Sequence, residues 1–390
     1  MIMENNNDNK VLNVPHLRFP EFSGEWKKCK LGDLCNVLMC KRILVSQTNT
    51  EDGVPFYKIG TIGSTPDAYI SKELFDDYKV KYNYPRKGEV MITCAGTVGK
   101  CVVYDGEDAY FQDSNIVWID NPTQYISNGF LFHLLSKVDW RKLNSTTIIR
   151  IYNDDLRNLK MSYPRKEEQQ KISHLLSLLD ERIATQNKII EDLKKLKSAI
   201  IDQLYSAIKG KGYSYRQIFE IVNERNKQLE YSNILSASQE KGMVNREDLN
   251  LDIQFERSNI NTYKVVRKGD YVIHLRSFQG GYAFSDKIGV CSPAYTILRP
   301  NDLLEFRYLS YYFTSQKFIK SLIIVTYGIR DGRSINVEEW LDMKTTIPQK
   351  EQQRHIVDTI RNIEKKIENE ELYASYLSKQ KQYLLRQLFI

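Results

Sequence analysis

The sequence lacks the features that mark membrane and secreted proteins. No hydrophobic run approaches the ~18 residues that a transmembrane helix needs. The segment Met1–Lys10 has no apolar core of the kind found in signal peptides. We therefore expect a cytoplasmic chain without a membrane span, in which residues 1–14 form a disordered tail.

Metal-binding and redox patterns are also missing. The six cysteines form no Cys-x-x-Cys pair, and the loosely clustered Cys29, Cys35 and Cys40 lack a second ligand group at zinc spacing. The five histidines show no paired spacing. We predict free thiols, no metal site, and structural roles for His174 and His355.

Catalytic motifs are absent as well. Val98-Gly-Lys100 suggests a phosphate-binding loop, but Cys94 stands where the first glycine belongs and Cys101 replaces the serine or threonine. There is no glycine-rich dinucleotide fingerprint, no adenine-methylation motif and no convincing nuclease or helicase carboxylate set. For His274, which follows a predicted strand, a polar or DNA contact is favoured over a role as general base. The pattern predicts a protein that recognises a partner without transforming it.

What the chain does contain suits an acidic partner. The formal net charge is +7, and 25 tyrosines are present. Tyrosine hydroxyls donate to phosphates, and tyrosine rings pack well. This balance fits DNA but does not prove it, because many basic proteins bind nothing acidic. The length of 390 residues predicts two or three domains.

An internal repeat with an offset of 184 residues organises the sequence. Pro164 and Pro348 each open a polar segment rich in Lys, Glu and Gln, and a long helical pattern follows each of them. The matched pairs are Pro164/Pro348, Lys166/Lys350, Glu167/Glu351, Gln169/Gln353, Ile172/Ile356, Ile183/Ile367 and Leu204/Leu388. We therefore expect two copies of one structural unit.

The repeat divides the chain into five predicted segments. They are the tail (1–14), a first globular domain (15–163), a first long helix (164–209), a second globular domain (210–346) and a second long helix (347–390). In the first domain we predict strands over Val54–Ile59, Val90–Cys94, Cys101–Tyr104 and Asn115–Ile119, and short helices over Phe130–Lys137 and Asn153–Leu159. Lys209–Gly212 is a predicted linker.

The two globular domains share short anchor segments. The matched anchors are Leu31–Leu34 with Ile218–Ile221, Arg86–Glu89 with Arg267–Asp270, and Asp154–Leu156 with Glu338–Trp340. Between the anchors the sequences diverge. Arg276–Gly281 corresponds to Cys94–Gly99 in position only. This predicts one scaffold carrying different loops.

Both long helical patterns have coiled-coil spacing, with core positions alternately four and three residues apart. The apolar core positions are Ile172, Leu176, Leu179, Ile183, Ile190, Leu193, Ile200 and Leu204 in the first helix, and Ile356, Ile360, Ile363, Ile367, Leu377, Leu384 and Leu388 in the second. Polar residues interrupt both patterns at equivalent positions, namely Gln186/Glu370 and Lys197/Lys381. Flanking apolar residues predict a further contact with a globular unit or another subunit; they are Leu175, Ile189, Leu196, Tyr383 and Leu385.

We expect an α+β fold with an internal pseudo-twofold repeat, in which two strand-rich domains are each followed by a long helix. The two helices form an antiparallel coiled-coil spacer, and Gln186 or Glu370 would pair with an opposing lysine only in such an arrangement with a suitable register. The alternative is that each helix packs independently on its own domain. Lys197 and Lys381 are either solvent-facing breaks in the pattern or charged positions reserved for a partner subunit.

With the repeat established, the chain resembles the specificity (S) subunits of type I restriction–modification enzymes. The resemblance depends on the paired Pro-x-Lys-Glu-x-Gln segments, the Arg-Lys-Gly-Asp/Glu segments, Arg276–Gly281, Ser292–Tyr295 and the opening Pro15–Pro20. It covers the chain after the tail. No single motif is decisive, but their order, duplication and spacing are specific together.

The resemblance implies two target recognition domains that each read one half of a split, asymmetric DNA site. It implies helices that set the spacing and dock two modification (methyltransferase) subunits acting at adenine N6, and two ATP-dependent restriction subunits. S-adenosylmethionine, ATP and Mg are then cofactors of those partners, and this chain binds none. It has no catalytic residue in this interpretation.

Residues that read bases in the major groove are Arg, Lys, Asn, Gln, Ser or Thr on loops. In the first domain we predict DNA contacts from Lys58, Thr61, Thr93, Thr97, Lys100, Ser145, Thr146 and Arg150. In the second domain we predict them from Ser236, Ser238, Gln239, Lys241, Arg276, Ser277, Gln279, Tyr327, Arg330 and Arg333. Arg276 and Gln279 are the favoured pair.

Two other functions remain open at this point. One is a self-sufficient DNA methyltransferase or nuclease, which the missing catalytic motifs disfavour. The other is a coiled-coil scaffold that binds two protein ligands without DNA.

Overall fold

The computed structural model describes residues 12–143, 150–238, 241–249, 257–274, 281–327 and 334–390. The chain divides into two compact units. The first unit contains residues up to Gln186 together with Tyr373–Ile390, and the second contains Asn187–Leu372. Each unit therefore includes part of both long helices, whereas the predicted five-segment division assigned each helix a segment of its own.

The first unit has the mixed helix and strand content that the sequence predicts. Its strands are β1 (Lys27–Lys30), β2 (Asn36–Leu38), β3 (Val54–Tyr57), β4 (Tyr69–Ile70), β5 (Val90–Thr93), β6 (Cys101–Val103), β7 (Tyr110–Phe111), β8 (Ile116–Asp120) and β9 (Lys160–Tyr163). Its helices are α1 (Lys72–Lys81), α2 (Asn128–Lys137), α3 (Trp140–Leu143), α4 (Asn153–Arg157) and the first part of the long α5 (Lys166–Ser206). The predicted strands and helices are confirmed within a few residues of their bounds.

The second unit has more strands than the first among the described residues, and they are of similar length. They are β10 (Lys211–Ser214), β11 (Phe219–Val222), β12 (Leu235–Ser238), β13 (Gly242–Asn245), β14 (Lys264–Val266), β15 (Tyr271–Ile273), β16 (Tyr282–Phe284), β17 (Gly289–Cys291), β18 (Thr296–Pro300), β19 (Thr326–Tyr327), β20 (Ser334–Ile335) and β21 (Lys344–Ile347). The helices are α6 (Tyr215–Ile218), α7 (Tyr308–Tyr312), α8 (Gln316–Ser321), α9 (Val337–Asp342) and the long α10 (Lys350–Leu388).

The two units share one scaffold. An antiparallel four-stranded sheet has the order β2-β8-β5-β6 in the first unit and β11-β18-β15-β16 in the second. A two-stranded pair, β1–β9 or β10–β21, leads into each long helix. The strands of these two pairs begin 184 residues apart, as do α5 and α10. The predicted duplication is therefore confirmed at the level of strand order.

One predicted anchor was matched three residues out of place. Leu31 directly follows β1 and Tyr215 directly follows β10, so Leu31–Leu34 corresponds to Tyr215–Ile218 rather than to Ile218–Ile221. Side-chain caps define the correct alignment. The Lys30 N–H donates to Asp33 at 2.7 Å, and the Ser214 N–H donates to Gln217 at 2.9 Å.

The Arg-Lys-Gly-Asp/Glu anchors form the same turn in both units. The Arg86 N–H donates to the Glu89 carboxylate at 2.8 Å, and the Arg267 N–H donates to the Asp270 carboxylate at 2.8 Å. The glycine of each turn has a positive φ (+87° and +98°), which favours glycine because it lacks a Cβ. The turn delivers the chain into the buried central strand, β5 or β15.

Each four-stranded sheet is covered on both faces, because its strands alternate apolar residues between two cores. In the first unit, Val90, Ile92 and Val117 pack on the side of α2 and the long helices, where Ile172 and Leu388 are buried with them. Met91 and Trp118 belong to a separate core on the other face. The second unit repeats this division.

The layer on the outer face differs between the units. In the first unit it contains the sheet β4-β3-β7 and helix α1, with Phe56, Phe75 and Tyr110 buried beneath. In the second unit it contains the strand pairs β12–β13 and β14–β17. The scaffold is therefore common to both units, and the variable part is this outer layer with its loops.

Two equivalent glutamines join each long helix to its sheet scaffold. The Gln169 amide donates to the Pro164 and Tyr125 carbonyls at 3.0 and 2.9 Å, and its oxygen accepts from the Ser127 N–H at 2.7 Å. Gln353 makes the same three bonds to Pro348 (3.0 Å), Leu303 (2.9 Å) and Glu305 (2.8 Å). Both side chains are buried, and we call the two sets of bonds the glutamine clamps.

Two predicted boundary segments are incorporated into the fold. Asn13 is buried and its amide donates to the Trp26 carbonyl at 2.7 Å, so this part of the predicted tail is bonded to the fold. Residues 1–11 lie outside the described residues. The predicted linker contributes Lys211 and Gly212 to β10, where they pair with Ile347 and Thr346 of β21.

The two long helices run antiparallel in each unit, as predicted. In the first unit Lys381 contacts Asp180 and Arg182 contacts Tyr373; in the second, Lys197 contacts Glu364 and Lys194 contacts Glu371. None of the predicted apolar core positions is exposed. Of the flanking residues, Leu385 is buried and Leu175 packs against the same core, whereas Ile189, Leu196 and Tyr383 are exposed.

The repeated lysines are neither solvent-facing breaks nor left unpaired for another subunit. Lys197 and Glu364 are 3.1 Å apart, and Lys381 pairs with Asp180, which is the repeat equivalent of Glu364. Glu370 pairs with Lys366 one turn earlier on its own helix. The opposing charges come from Asp180 and Glu364, because these acids are level with the lysines in the antiparallel register.

The Lys197–Glu364 pair is expected to stabilise the helix pair by about 1 kcal/mol, since both side chains are about 70% buried. A double-mutant cycle with Lys197→Ala and Glu364→Ala, read by chemical unfolding, measures this coupling energy. The exposed Lys194–Glu371 pair is the matched control and is expected to couple by less than about 0.5 kcal/mol. Equal coupling energies in the two cycles would contradict the assignment.

Candidate nucleic-acid interface

The loops of the first unit that carry predicted contact residues meet at one edge of the four-stranded sheet. Because the sheet is antiparallel, β2 and β5 end at the edge where β6 and β8 begin. Residues 39–53, 94–100 and 112–115 therefore leave from the same side. We call this side, with the segments bonded to it, the loop edge.

Two further segments are bonded to the loop edge. The Lys100 ammonium donates to the Ile62 carbonyl at 2.5 Å, which joins residues 58–62 to the loop at 94–100. The Ile151 N–H donates to the Cys94 carbonyl at 2.9 Å, which brings Arg150 to the same place. The described contact residues predicted for this unit are therefore near neighbours in the fold, although up to 92 positions separate them in the sequence.

The predicted contact residues differ in how available they are. Thr97 is exposed, and Lys58 is partly exposed beside Asp67 at 3.0 Å. Thr61 uses its hydroxyl oxygen to accept the Lys58 N–H at 3.0 Å. Lys58 and Thr97 keep polar groups at the surface, whereas Thr61 and Lys100 have groups committed to the turns that position them.

The predicted DNA contact of Thr93 is wrong. Its side chain is fully buried, its hydroxyl donates to the Thr97 carbonyl, and its oxygen accepts the Lys100 N–H at 3.0 Å. A side chain so placed cannot reach DNA. Thr93 instead fixes the turn that presents Thr97, a role that sequence alone does not distinguish from surface contact.

Arg150 lines an open cavity of about 330 Å³ at the loop edge. Its guanidinium lies 3.4 Å from the Ser114 carbonyl and 5.9 Å from the centre of the Tyr152 ring. Arg157 also lines the cavity and is 3.1 Å from Asp154. Sequence reasoning missed Tyr152 and Arg157, although a tyrosine and a second arginine within seven positions of Arg150 were available as a signal.

In the second unit the hairpin β12–β13 carries three of the predicted residues. Ser236 and Ser238 are half-buried on β12, and the Ser238 hydroxyl accepts the Lys241 N–H at 3.3 Å. Lys241 is exposed at the turn. Tyr327 pairs with Ser334 through the backbone of β19 and β20. Outside the described residues lie Ser145, Thr146, Gln239, Arg276, Ser277, Gln279, Arg330 and Arg333.

Two cysteines, Cys94 and Cys101, lie in or beside the loop at residues 94–100. Burial raises the pKa of the Cys94 thiol to about 11 and that of Cys101 to about 12, so both are protonated at neutral pH. The His274 ring packs edge-on against Tyr295 at 5.0 Å.

No cluster of three or more His, Cys, Asp or Glu side chains suited to a metal ion occurs within the ranges described. In the same ranges, no helix is both long and apolar enough to cross a membrane.

Comparison with known proteins gives two kinds of similarity. The family model of the type I restriction modification DNA specificity domain matches residues 23–195, which is less than half of the chain. A putative type I restriction enzyme specificity subunit of Haemophilus influenzae, S.HindORF215P, is 46% identical over 184 residues. That alignment covers 47% of this chain and 45% of the relative, so it spans less than half of either protein.

Solved structures extend the similarity of fold to nearly the whole chain. The S subunit of a type I restriction–modification system from M. genitalium has a TM-score of 0.55 at 15% identity and covers 97% of this chain and 99% of its own. A chain solved in work on complex assembly and conformational transition of the type I R-M system has a TM-score of 0.57 at 16% identity, with 92% and 96% covered. At these identities the likeness establishes the fold.

Proposed function

We propose that this chain is the DNA-recognition subunit of a type I restriction–modification enzyme. The premise is the match of residues 23–195 to the type I restriction modification DNA specificity domain. Each unit reads one half of a bipartite, asymmetric site. The observation that carries the proposal is the repeated four-stranded scaffold with a different outer layer in each unit. A common scaffold presents both units to DNA in the same way, and different loops read different bases.

The antiparallel helices supply the spacing between the half-sites in this proposal. Helix α5 has 41 residues, which corresponds to roughly 60 Å at 1.5 Å per residue. Half-sites read from one side of B-DNA are separated by about 34 Å or a multiple of it. Two modules joined by a stiff connection also raise each other's effective concentration on the same DNA.

Catalysis belongs to partner subunits in this proposal. Two modification subunits bring S-adenosylmethionine chemistry at adenine N6, two restriction subunits bring ATP and Mg, and this cytoplasmic chain binds no cofactor. Ile189, Leu196 and Tyr383 are 41%, 51% and 59% exposed along the long helices. Exposed apolar side chains on a helix surface support docking of partner helices there.

Replacing residues 213–345 by the corresponding domain of a related specificity subunit is expected to change one half of the methylated sequence and leave the other half unchanged. The variant and the parent chain are each expressed with the modification subunit, and N6-methyladenine is mapped across the genome. The reciprocal exchange of residues 27–163 is the matched control and should change the other half. A change in both halves from a single exchange would refute the one-unit, one-half assignment.

A further inference from the structure

A basic loop with an apolar apex leaves the loop edge of the first unit directly after β2. Residues 39–48 read Met-Cys-Lys-Arg-Ile-Leu-Val-Ser-Gln-Thr and contain no acidic residue. Cys40 and Ile43 are buried in the outer core and anchor the loop. Directly after the second anchor, Leu44 is 55% exposed and Val45 is 89% exposed. The loop therefore exposes two apolar side chains to solvent, although its anchoring residues are buried.

Hydrogen bonds hold the apex in one conformation. The Leu44 N–H donates to the Gln47 side-chain oxygen at 2.9 Å, and the Gln47 N–H donates back to the Leu44 carbonyl at 2.9 Å. The Val45 carbonyl accepts from the Thr48 hydroxyl at 2.8 Å and from the Thr48 N–H at 3.1 Å. An ordered apex loses little conformational entropy when it binds a partner.

The charge next to the apex indicates the kind of partner. Lys41 and Arg42 are exposed, and the Lys41 ammonium lies 5.4 Å from the centre of the Tyr82 ring. Met39, at the start of the loop, lines the cavity that also contains Arg150 and Arg157. Lys41 and Arg42 thus adjoin two exposed apolar side chains, and Arg150 and Arg157 line a cavity that the same loop reaches through Met39. This pattern suits a polyanion with apolar surfaces inside it.

We infer that this loop contacts DNA in the half-site read by the first unit, with Leu44 and Val45 against base surfaces in a groove and Lys41 and Arg42 on flanking phosphates. The inference rests on the proposed function and adds to it a specificity element outside the predicted contact residues. Apolar side chains discriminate bases through thymine methyl groups or by wedging between base steps, and cationic side chains fix the register on the backbone.

The test uses the complete chain assembled with its modification subunits and a DNA duplex containing the sequence found by methylation mapping. Affinity is measured by fluorescence anisotropy at several salt concentrations. Leu44→Ser with Val45→Ser is expected to weaken cognate binding about tenfold and to leave the dependence of log affinity on log salt unchanged, because no phosphate contact is lost. Lys41→Gln with Arg42→Gln is expected to weaken cognate and unrelated DNA alike and to reduce that slope by about two.

Tyr125→Ser is the matched control. Tyr125 is 63% exposed in the same unit, but it follows the far end of β8 at the opposite edge of the sheet. Its substitution should leave cognate affinity unchanged. Cognate affinity at the wild-type level in the Leu44/Val45 variant would overturn the inference. So would loss of the modification subunits from that variant in size-exclusion chromatography, which would identify a protein as the occupant. A wild-type assembly without sequence-specific binding would instead refute the proposed function, and this inference with it.

Discussion

Replacing Gln169 by alanine is expected to lower the free energy of unfolding of the first unit by about 3 kcal/mol. The side chain is fully buried, and its amide satisfies one N–H and two carbonyl groups of the backbone. Alanine leaves those three groups without a partner, and each such group costs about 1–3 kcal/mol when it stays buried. Ser127 is only half-buried, so water can partly replace the lost bond there. We therefore expect each of the three groups to cost about 1 kcal/mol, the lower end of the range for a single group.

The neighbouring Gln170 provides the control, because it lies on the same helix turn and is exposed. Gln170→Ala is expected to change stability by less than about 0.5 kcal/mol. Hydrogen exchange on the full chain, followed by mass spectrometry, separates the units. Gln169→Ala should increase exchange in peptides of the first unit, and Gln353→Ala should do so in the second, with Gln352→Ala as its exposed control. Similar exchange in Gln169→Ala and Gln170→Ala would show that the clamp is dispensable.

Acidification from pH 7 to pH 4 is expected to remove about 3 kcal/mol of stability from the first unit through His133 alone. Burial lowers the pKa of His133 to about 4 from an ordinary value of 6.5; the nearby Asp180 carboxylate opposes this shift and Lys381 adds to it. Between these values the unfolded chain binds a proton that the folded chain does not. The contribution is therefore complete above pH 6.5 and is lost as pH falls towards 4.

The second unit supplies the variant that isolates this effect. The glutamine clamps align Ser127 with Glu305, and by the same offset His133 aligns with Tyr311. The Tyr311 hydroxyl donates to Glu364 at 2.7 Å, whereas His133 lies 4.0 Å from Asp180, the equivalent acid. His133→Tyr is thus expected to form a hydrogen bond to Asp180. It should also make the free energy of unfolding less dependent on pH between pH 5 and pH 6.5.

Chemical unfolding of both proteins across that pH range measures the difference in slope. His174→Tyr is the control, since His174 lies on α5 with an exposed side chain and its removal should leave the slope as in the wild type. Parallel profiles for the wild type and His133→Tyr would rule out His133 as the source.

Much of the scaffold was predictable because its signals are periodic or duplicated. Heptad spacing predicted both long helices, and the offset of 184 residues predicted that they are equivalent. The Arg-Lys-Gly-Asp/Glu anchors were recognisable because a positive φ restricts the third residue and the cap restricts the fourth. The match of Leu31 with Ile218 failed because short apolar segments resemble each other in several registers, and only the caps at Asp33 and Gln217 select one.

The candidate interface was less predictable. Residue type favoured Thr93 and Thr97 equally, yet Thr93 is buried and Thr97 exposed. The apex at Leu44 and Val45 was not selected, because an apolar pair in a sequence predicts a core position unless its burial is known. Exposure depends on contacts with residues distant in the chain, and local sequence carries little information about them.

The sequence by itself determined that this protein is a duplication, where each long helix lies, and that the helices have a coiled-coil face. These properties follow from local periodicity and from comparison of the chain with itself. Only the tertiary structure decided which residues meet: Gln169 with Tyr125 and Ser127, Lys197 with Glu364, Lys381 with Asp180, and the loops that share one sheet edge. Such pairings depend on the antiparallel register of the helices and on strand order, which are set by packing over the whole unit.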